Sequence, residues 1–226
     1  MEPQAGVSPA ARAYAALRGR ILGGALAPEQ PLRPQELADE LGVSLAVVRE
    51  SLLRLVGEGL ADRNPNRGFA VPAAGPGRWE EISDARAAIE PATLRLAVER
   101  GDLAWEAGVR AAFHTLSRTP VHDGDGPAVT DAWSDAHHRF HRALLEGCGN
   151  AVLLETFERL WRQSELARRW SALASPATAR LGEHAALEGA ALARDADGAA
   201  AALTAHLRRT TAILATSLAP QPEVTR

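Results

Sequence analysis

The chain has 226 residues, a formal net charge of −3 and 25 basic residues, every one of them arginine. With no lysine, a G-x-x-x-x-G-K phosphate loop, a Schiff-base amine and a Ser–Lys dyad are all excluded. The length suits one large domain or a small one joined to a medium one; 47 alanines favour close-packed helices, and the charge total alone points to no polyanion partner.

Ser8-Pro9 reads as an N-cap followed by Pro at the first helical position, opening a helix that runs to about Gly23-Gly24. After the loop ALAPEQPLR, Pro34 starts a short helix, QELADEL, which Gly42 stops. Ser44 caps a second helix, roughly Leu45 to Gly57, with Val48, Leu52, Leu55 and Val56 on one face. LADRNPNRGFAV reads as two short strands around an Asn-Pro-Asn-Arg-Gly turn. The breaker-rich PAAGPG (72–77) marks a boundary, with a domain at 1–72 and a linker at 73–78.

Residues 79–218 read as an all-α bundle of about six helices, at 79–100, 103–117, 127–147, 150–173, 177–194 and 197–218, followed by a tail at 219–226. Pro91 is expected to kink the first of these. The fold class is therefore mainly α, a winged helix-turn-helix followed by a helical bundle.

In the first domain, Gly42 permits the tight turn and Ser44 satisfies exposed amides, so the helix N-terminus is able to approach a phosphate or base edge. Leu37, Ala38, Leu41, Val48, Leu52 and Leu55 fasten the helices together. Arg49 projects from the outer face, with Arg54 further along, where a guanidinium grips guanine or clamps a phosphate; Arg67 sits at the wing tip. Eight Arg against eight acidic residues leave 1–72 neutral, so placement, not composition, carries this reading.

The run GALAPEQPLRPQELADELGVSLAVVRESLLRLVGEGLADRNPNRGFAV resembles the amino-terminal domain of GntR-type bacterial transcription regulators, a likeness covering residues 11–72. The resemblance implies DNA contacts from Arg33, Ser44, Arg49, Arg67 and Gly68. Where that family usually has Arg after the capping Ser, this chain has Leu45.

Four histidines stand out in the second domain. His137 and His141 lie four apart on one helix and share a face, while His138 points elsewhere. His184 and His206 flank the Asp195–Gly198 turn almost symmetrically, so an antiparallel helix pair brings them level. Four neutral imidazoles inside a bundle suit a divalent transition metal rather than Mg or Ca; Zn or Ni is expected, and ordinary half-buried histidines are the alternative.

DAHHRFHRALLEGCGN followed by EHAALEGAALARDADGAAAALTAHL is similar to the helical ligand-binding domain of the FadR subfamily, the FCD type, over residues 79–218. The family pattern has Asp four before the first His, and here that position is His137, with Asp135 two residues earlier; either the site has four His or a carboxylate comes from elsewhere. The resemblance implies a metal that docks a small carboxylate effector, with Arg86 helping to bind it; Arg86 can equally pair with Glu90 at i+4.

Gly147-Cys148-Gly149-Asn150 has no orienting partner for a cysteine nucleophile, and Trp79, Trp105, Trp133, Trp161 and Trp170 read as packing. One cysteine, no apolar run near the ~18 residues of a membrane span, and no signal-peptide layout at the start fit a cytoplasmic protein. The expected function is a ligand-responsive regulator, a repressor, that binds a double-stranded DNA operator as a homodimer and responds to a small organic acid. It is not expected to be an enzyme; the alternative is a metal-dependent hydrolase with Asp135 beside the His cluster.

Overall fold

The computed structural model describes residues 8–23, 25–65, 67–73, 76–122, 129–174 and 177–217. The chain divides into two compact units, Met1–Ala74 and Gly75–Arg226. Part of the 73–78 linker, the 219–226 tail, Gly24, Ser175-Pro176, half of the Thr119–Gly126 loop and the Trp170 side chain lie outside the described residues.

In the first unit, α1 (Pro9–Leu22) begins where the Ser8 hydroxyl accepts the Ala11 N–H. It buries Ala13, Leu17 and Ile21, spaced by four, against α3. β1 (Pro31–Leu32) precedes α2 (Pro34–Leu41), which ends at Gly42 with φ 63°, a left-handed turn that glycine adopts without steric cost. α3 (Leu45–Gly57) buries Val48, Leu52 and Leu55, and β2 (Asp62–Asn64) and β3 (Gly68–Ala70) form the wing. The sheet has three strands, ordered β1-β3-β2 and antiparallel throughout, with Phe69 opposite both Leu32 and Arg63. β1 falls in the stretch read from sequence as loop. At two residues it has no alternation to detect, and only its pairing with β3 makes it a strand.

The second unit is helical among its described residues: α4 (Pro76–Arg100), α5 (Leu103–Arg118), α6 (Asp131–Glu146), α7 (Ala151–Gln163), α8 (Glu165–Ala174), α9 (Ala177–Leu192) and α10 (Ala196–Ser217). α4 lies along α10, α5 packs on α6 and α9, and α6 and α7 complete the bundle around Leu94, Phe140, Leu144, Phe157, Leu187 and Leu203. Trp105, Trp133 and Trp161 belong to this core, and Trp79 is buried as well. Pro91 does not interrupt α4, which continues as one helix to Arg100.

Two sequence expectations need correction. The helix expected from 127 starts at Asp131, because Val129 pairs with His122 in a β-bridge and Thr130 caps the first turn through its hydroxyl. The helix expected over 150–173 is two, so among the described residues the bundle has seven helices where about six were expected. The break is at Ser164 (φ −93°, ψ 5°). There the Trp161 carbonyl takes the Ser164 N–H at 3.2 Å, the Ser164 hydroxyl at 3.0 Å and Arg168 Nη1 at 2.6 Å. Nothing in a hydrophobic pattern announces a carbonyl that is satisfied from the side.

A buried ionic group fixes α8 against α6. Glu165 accepts from Arg169 Nε at 2.9 Å, from the Ser134 hydroxyl at 2.9 Å and from Arg168. Arg169 also donates to the Val129 carbonyl at 3.0 Å and pairs with Asp131. Burial alone would raise the Glu165 carboxyl; the Arg168 charge and the hydrogen bonds from Arg169 and Ser134 more than reverse this and hold it at about 2. Its folded value is thus depressed, so the stability it contributes is present above the ordinary 4.5 and is lost as pH falls from there towards 2. Glu165→Gln leaves two buried guanidinium groups short of their shared anion and should cost about 3 kcal/mol at pH 7. Urea unfolding of wild type and variant between pH 7 and pH 3 checks this: the gap should narrow as the pH falls below 4.5.

Candidate metal centre and DNA-reading surface

α6 points His137 and His141 into the bundle one turn apart, α9 brings His184 and α10 brings His206. One ring nitrogen from each lies within 4.8 Å of those of the other three. His137, His141 and His184 are buried, and His206 nearly so. The hairpin reasoning from sequence thus places all four together. His138 stays out: it bonds Glu158 at 2.9 Å and stacks on Phe157. Asp135, the alternative ligand, is solvent-exposed and not part of the cluster.

The partners assign the tautomers. His184 Nδ1 lies 2.7 Å from the Arg180 carbonyl and therefore carries the proton, leaving Nε2 with a lone pair. His206 Nδ1 lies 2.9 Å from the Glu183 carboxylate and does the same. His137 Nε2 is 2.9 Å from His184 Nε2, so it donates there. His141 Nε2 is buried with no hydrogen-bond partner among the described residues. A buried polar nitrogen with no partner is costly, and a cation held among these rings would satisfy it. The donor set, four imidazoles with a carboxylate and a carbonyl bonded behind two of them, fits a borderline transition metal.

Burial, and then the neighbouring imidazoles and guanidinium groups, push His137 and His141 well below the ordinary 6.5; burial and His206 take His184 to about 3. These three rings are therefore neutral, as ligands must be.

Arginines surround the imidazoles. Arg86 Nε and Nη2 clamp Glu90 at 2.6 and 3.1 Å, and Nη1 reaches Ser164 at 3.3 Å. Arg86 thus makes the expected i+4 pair while still lining the cavity. Arg168 lies 3.6 Å over the Trp161 ring and Arg180 5.7 Å from the Trp133 ring. The cavity has about 40 Å³ of free volume, against roughly 10–15 Å³ for one water. An ion and a small ligand group fit; a larger molecule has to displace side chains. Sequence reasoning missed Glu183, Glu165, Arg168 and Arg180. Glu183 had one available signal, its place beside His184 on the turn facing α10.

In the first unit the Ser44 hydroxyl accepts the Val47 N–H at 3.4 Å and caps α3. Arg49 is exposed and makes no ion pair among the described residues, and Arg67 is exposed next to Gly68, whose φ of 79° turns the wing. Arg33 is exposed and pairs with Glu36 at 2.9 Å. Arg54 has a different job from the one expected. It lies 3.7 Å over Tyr14 and bonds Glu58 at 3.2 Å, while the Tyr14 hydroxyl donates to Glu58 at 2.7 Å, so it braces α1 against α3.

The chain matches the family described as bacterial regulatory proteins, gntR family, over residues 9–71, and the FCD domain family over residues 81–209. It is a GntR-family transcription regulator with an FCD domain. The HTH-type transcriptional repressor GlaR of Escherichia coli is 32% identical over 86% of this chain and 90% of its own. The uncharacterized HTH-type transcriptional regulator BphR of Paraburkholderia xenovorans is 33% identical over 88% of this chain and 82% of its own. The solved E. coli McbR/YncC structure superposes with a TM-score of 0.69 at 27% identity, covering 94% of this chain and 99% of the other. GntR regulators bind DNA and small-molecule effectors and are not enzymes, and nothing supports the hydrolytic alternative. Among the described residues, no helix is long and apolar enough to cross a membrane.

In the metal-free regulator, the depressed histidine values make the fold acid-labile. Between pH 6.5 and about 3 the unfolded chain takes up a proton at His184 that the folded site refuses. Each such group adds about 1.4 kcal/mol of destabilisation per pH unit. In chelator-treated protein, stability by urea unfolding should therefore fall between pH 6.5 and 5, and less steeply in His184→Asn; equal slopes would contradict the assignment.

Proposed function

We propose that this regulator is a homodimeric, cytoplasmic repressor whose helical unit holds a divalent metal, Zn or Ni, through His137, His141, His184 and His206 and there recognises a small carboxylate. The observation that carries the reading is the convergence of four imidazoles on one buried point where His141 Nε2 has no partner among the described residues. When bound, the metal supplies a positively charged anchor for a carboxylate. Arg86, Arg168 and Arg180 supply the cationic wall around it, with Arg86 preset by Glu90 and Ser164. The small cavity favours a short organic acid. The relative named as a repressor supports repression as the output.

On the DNA side, Arg49 grips a guanine in the major groove, while Ser44 at the α3 N-terminus, Arg33, Arg67 and Gly68 meet the flanking backbone. The exposed Arg33–Glu36 pair is worth little in water and yields readily to a phosphate. A dimer places two α3 helices on half-sites about 34 Å apart. The effector acts by binding more tightly to the state with lower operator affinity.

Elemental analysis of the purified protein should find about one transition metal per chain, lost in His141→Ala and His184→Ala. Glu183→Gln, which keeps the shape but weakens the anchor on His206, should lower metal affinity by about 10- to 100-fold. A metal-free wild type that takes up neither Zn nor Ni in titration would overturn the metal reading. Arg49→Ala should abolish preference for the operator over random duplex in a gel-shift titration without changing the thermal unfolding temperature.

A further inference from the structure

Leu45 is the first residue of α3 and remains 37% exposed, with exposed Ala46 beside it and exposed Arg49 one turn on. Leu45 and Arg49 are neighbours one turn apart on α3, and Leu45 stands at the N-terminal end of the stripe that Val48 and Leu52 continue into the core, left part-exposed where the helix opens. Single exposed leucines usually need no explanation, and Leu103 on α5 is a case in point. The position of Leu45 is different. In a winged helix-turn-helix of a DNA-binding family, the N-terminal residues of this helix meet base edges in the major groove. Whatever side chain stands first on α3 contributes to the readout there.

The leucine side chain has no donor and no acceptor. Guanine, adenine and cytosine present only hydrogen-bonding groups in the major groove, and pairing any of them with Leu45 would desolvate those groups without replacement. Thymine presents a methyl group as well, the one apolar feature of the groove floor. Helix side chains tilt towards the N-terminus, which carries Leu45 towards the open end of α3, beyond the first buried residue of its stripe.

We propose that Leu45 reads a thymine in each operator half-site through its C5-methyl group, within about two base pairs of the guanine gripped by Arg49. The spacing follows from geometry: neighbours one helical turn apart are about 5–6 Å from each other, and successive base pairs rise about 3.4 Å. The inference rests on the reading of α3 as the recognition helix.

The test uses the full chain and a randomised duplex library. Wild type, Leu45→Ala and Leu45→Arg are each taken through selection, after their thermal unfolding shows that they fold. Each thymine of the wild-type site is then replaced by deoxyuridine, which removes only the methyl group. One thymine per half-site should prove sensitive, with wild-type affinity falling about fourfold, the equivalent of about 0.8 kcal/mol for one methyl group. Leu45→Ala should be indifferent to that replacement, and Leu45→Arg should select guanine at the same position, since Arg bonds guanine O6 and N7 together. If Leu45→Ala does not fold, Leu45→Ser takes its place. A wild-type site in which no deoxyuridine weakens binding, or an alanine variant as sensitive as wild type, overturns the proposal alone. A wild type that enriches no sequence overturns the recognition-helix reading and this proposal with it.

Discussion

Four imidazoles brought to one point of an apolar bundle impose a demand that the rest of the helical unit is built to meet: each ring needs a polar partner. Two of the demands are met from behind, by the Arg180 carbonyl on His184 and by the Glu183 carboxylate on His206. One is met sideways, by the contact between His137 and His184. The fourth, at His141 Nε2, is not met by any group among the described residues. A fold that needed these rings only as filler would lose less by carrying leucine there, since a buried polar group without a partner costs more than an apolar one of similar size. The cluster makes sense as a binding device and is poor as a packing device.

The absence of lysine shapes what surrounds that device. Arg168 lies over the Trp161 ring while donating to the Trp161 carbonyl and pairing with Glu165. Arg86 uses two edges of its fork on Glu90 and a third nitrogen on Ser164. An ammonium is a point charge without a plane or a fork, so neither pattern is open to lysine. The guanidinium groups are thereby held in fixed orientations around the cavity, and the Glu165 group locks α8, which carries Arg168, to α6, which carries two of the histidines. The ionic network and the imidazole cluster are two layers of one arrangement.

What the sequence disclosed and what it hid divide along a physical line. Caps, turns and periodic faces are local, and Ser8, Gly42, Ser44 and the Val48–Leu52–Leu55 face could all be read from neighbours in the chain. The histidines were legible because two sit at i, i+4 and two straddle one turn, so helix geometry alone brings them near each other. β1, the break at Ser164 and the role of Glu165 depend on groups 30 or more residues away, such as Phe69 for Leu32 and Ser134 for Glu165, or on a carbonyl capped from the side. Arg54 shows the limit from the other direction: its position on the helix was right for DNA, but Tyr14, 40 residues earlier, claims its guanidinium face.

The two units also differ in how charge is used. Around the histidines, Arg86 and Arg168 are buried and paired, so their value lies in direction. On the DNA-reading unit, eight Arg balance eight acidic residues over 1–72, and the neutral total conceals a selection by partner: Arg20 and Arg54 are tied to Glu40 and Glu58, Arg33 holds only an exposed, weak pair, and Arg49 and Arg67 make none among the described residues. Non-specific affinity for a polyanion scales with the number of phosphates neutralised, so a domain whose cations are balanced one for one by its own carboxylates attracts DNA weakly in general. Its discrimination then has to come from the few side chains left facing outwards on α3, and there the mixture of one guanidinium and one leucine matters more than the sum of charges.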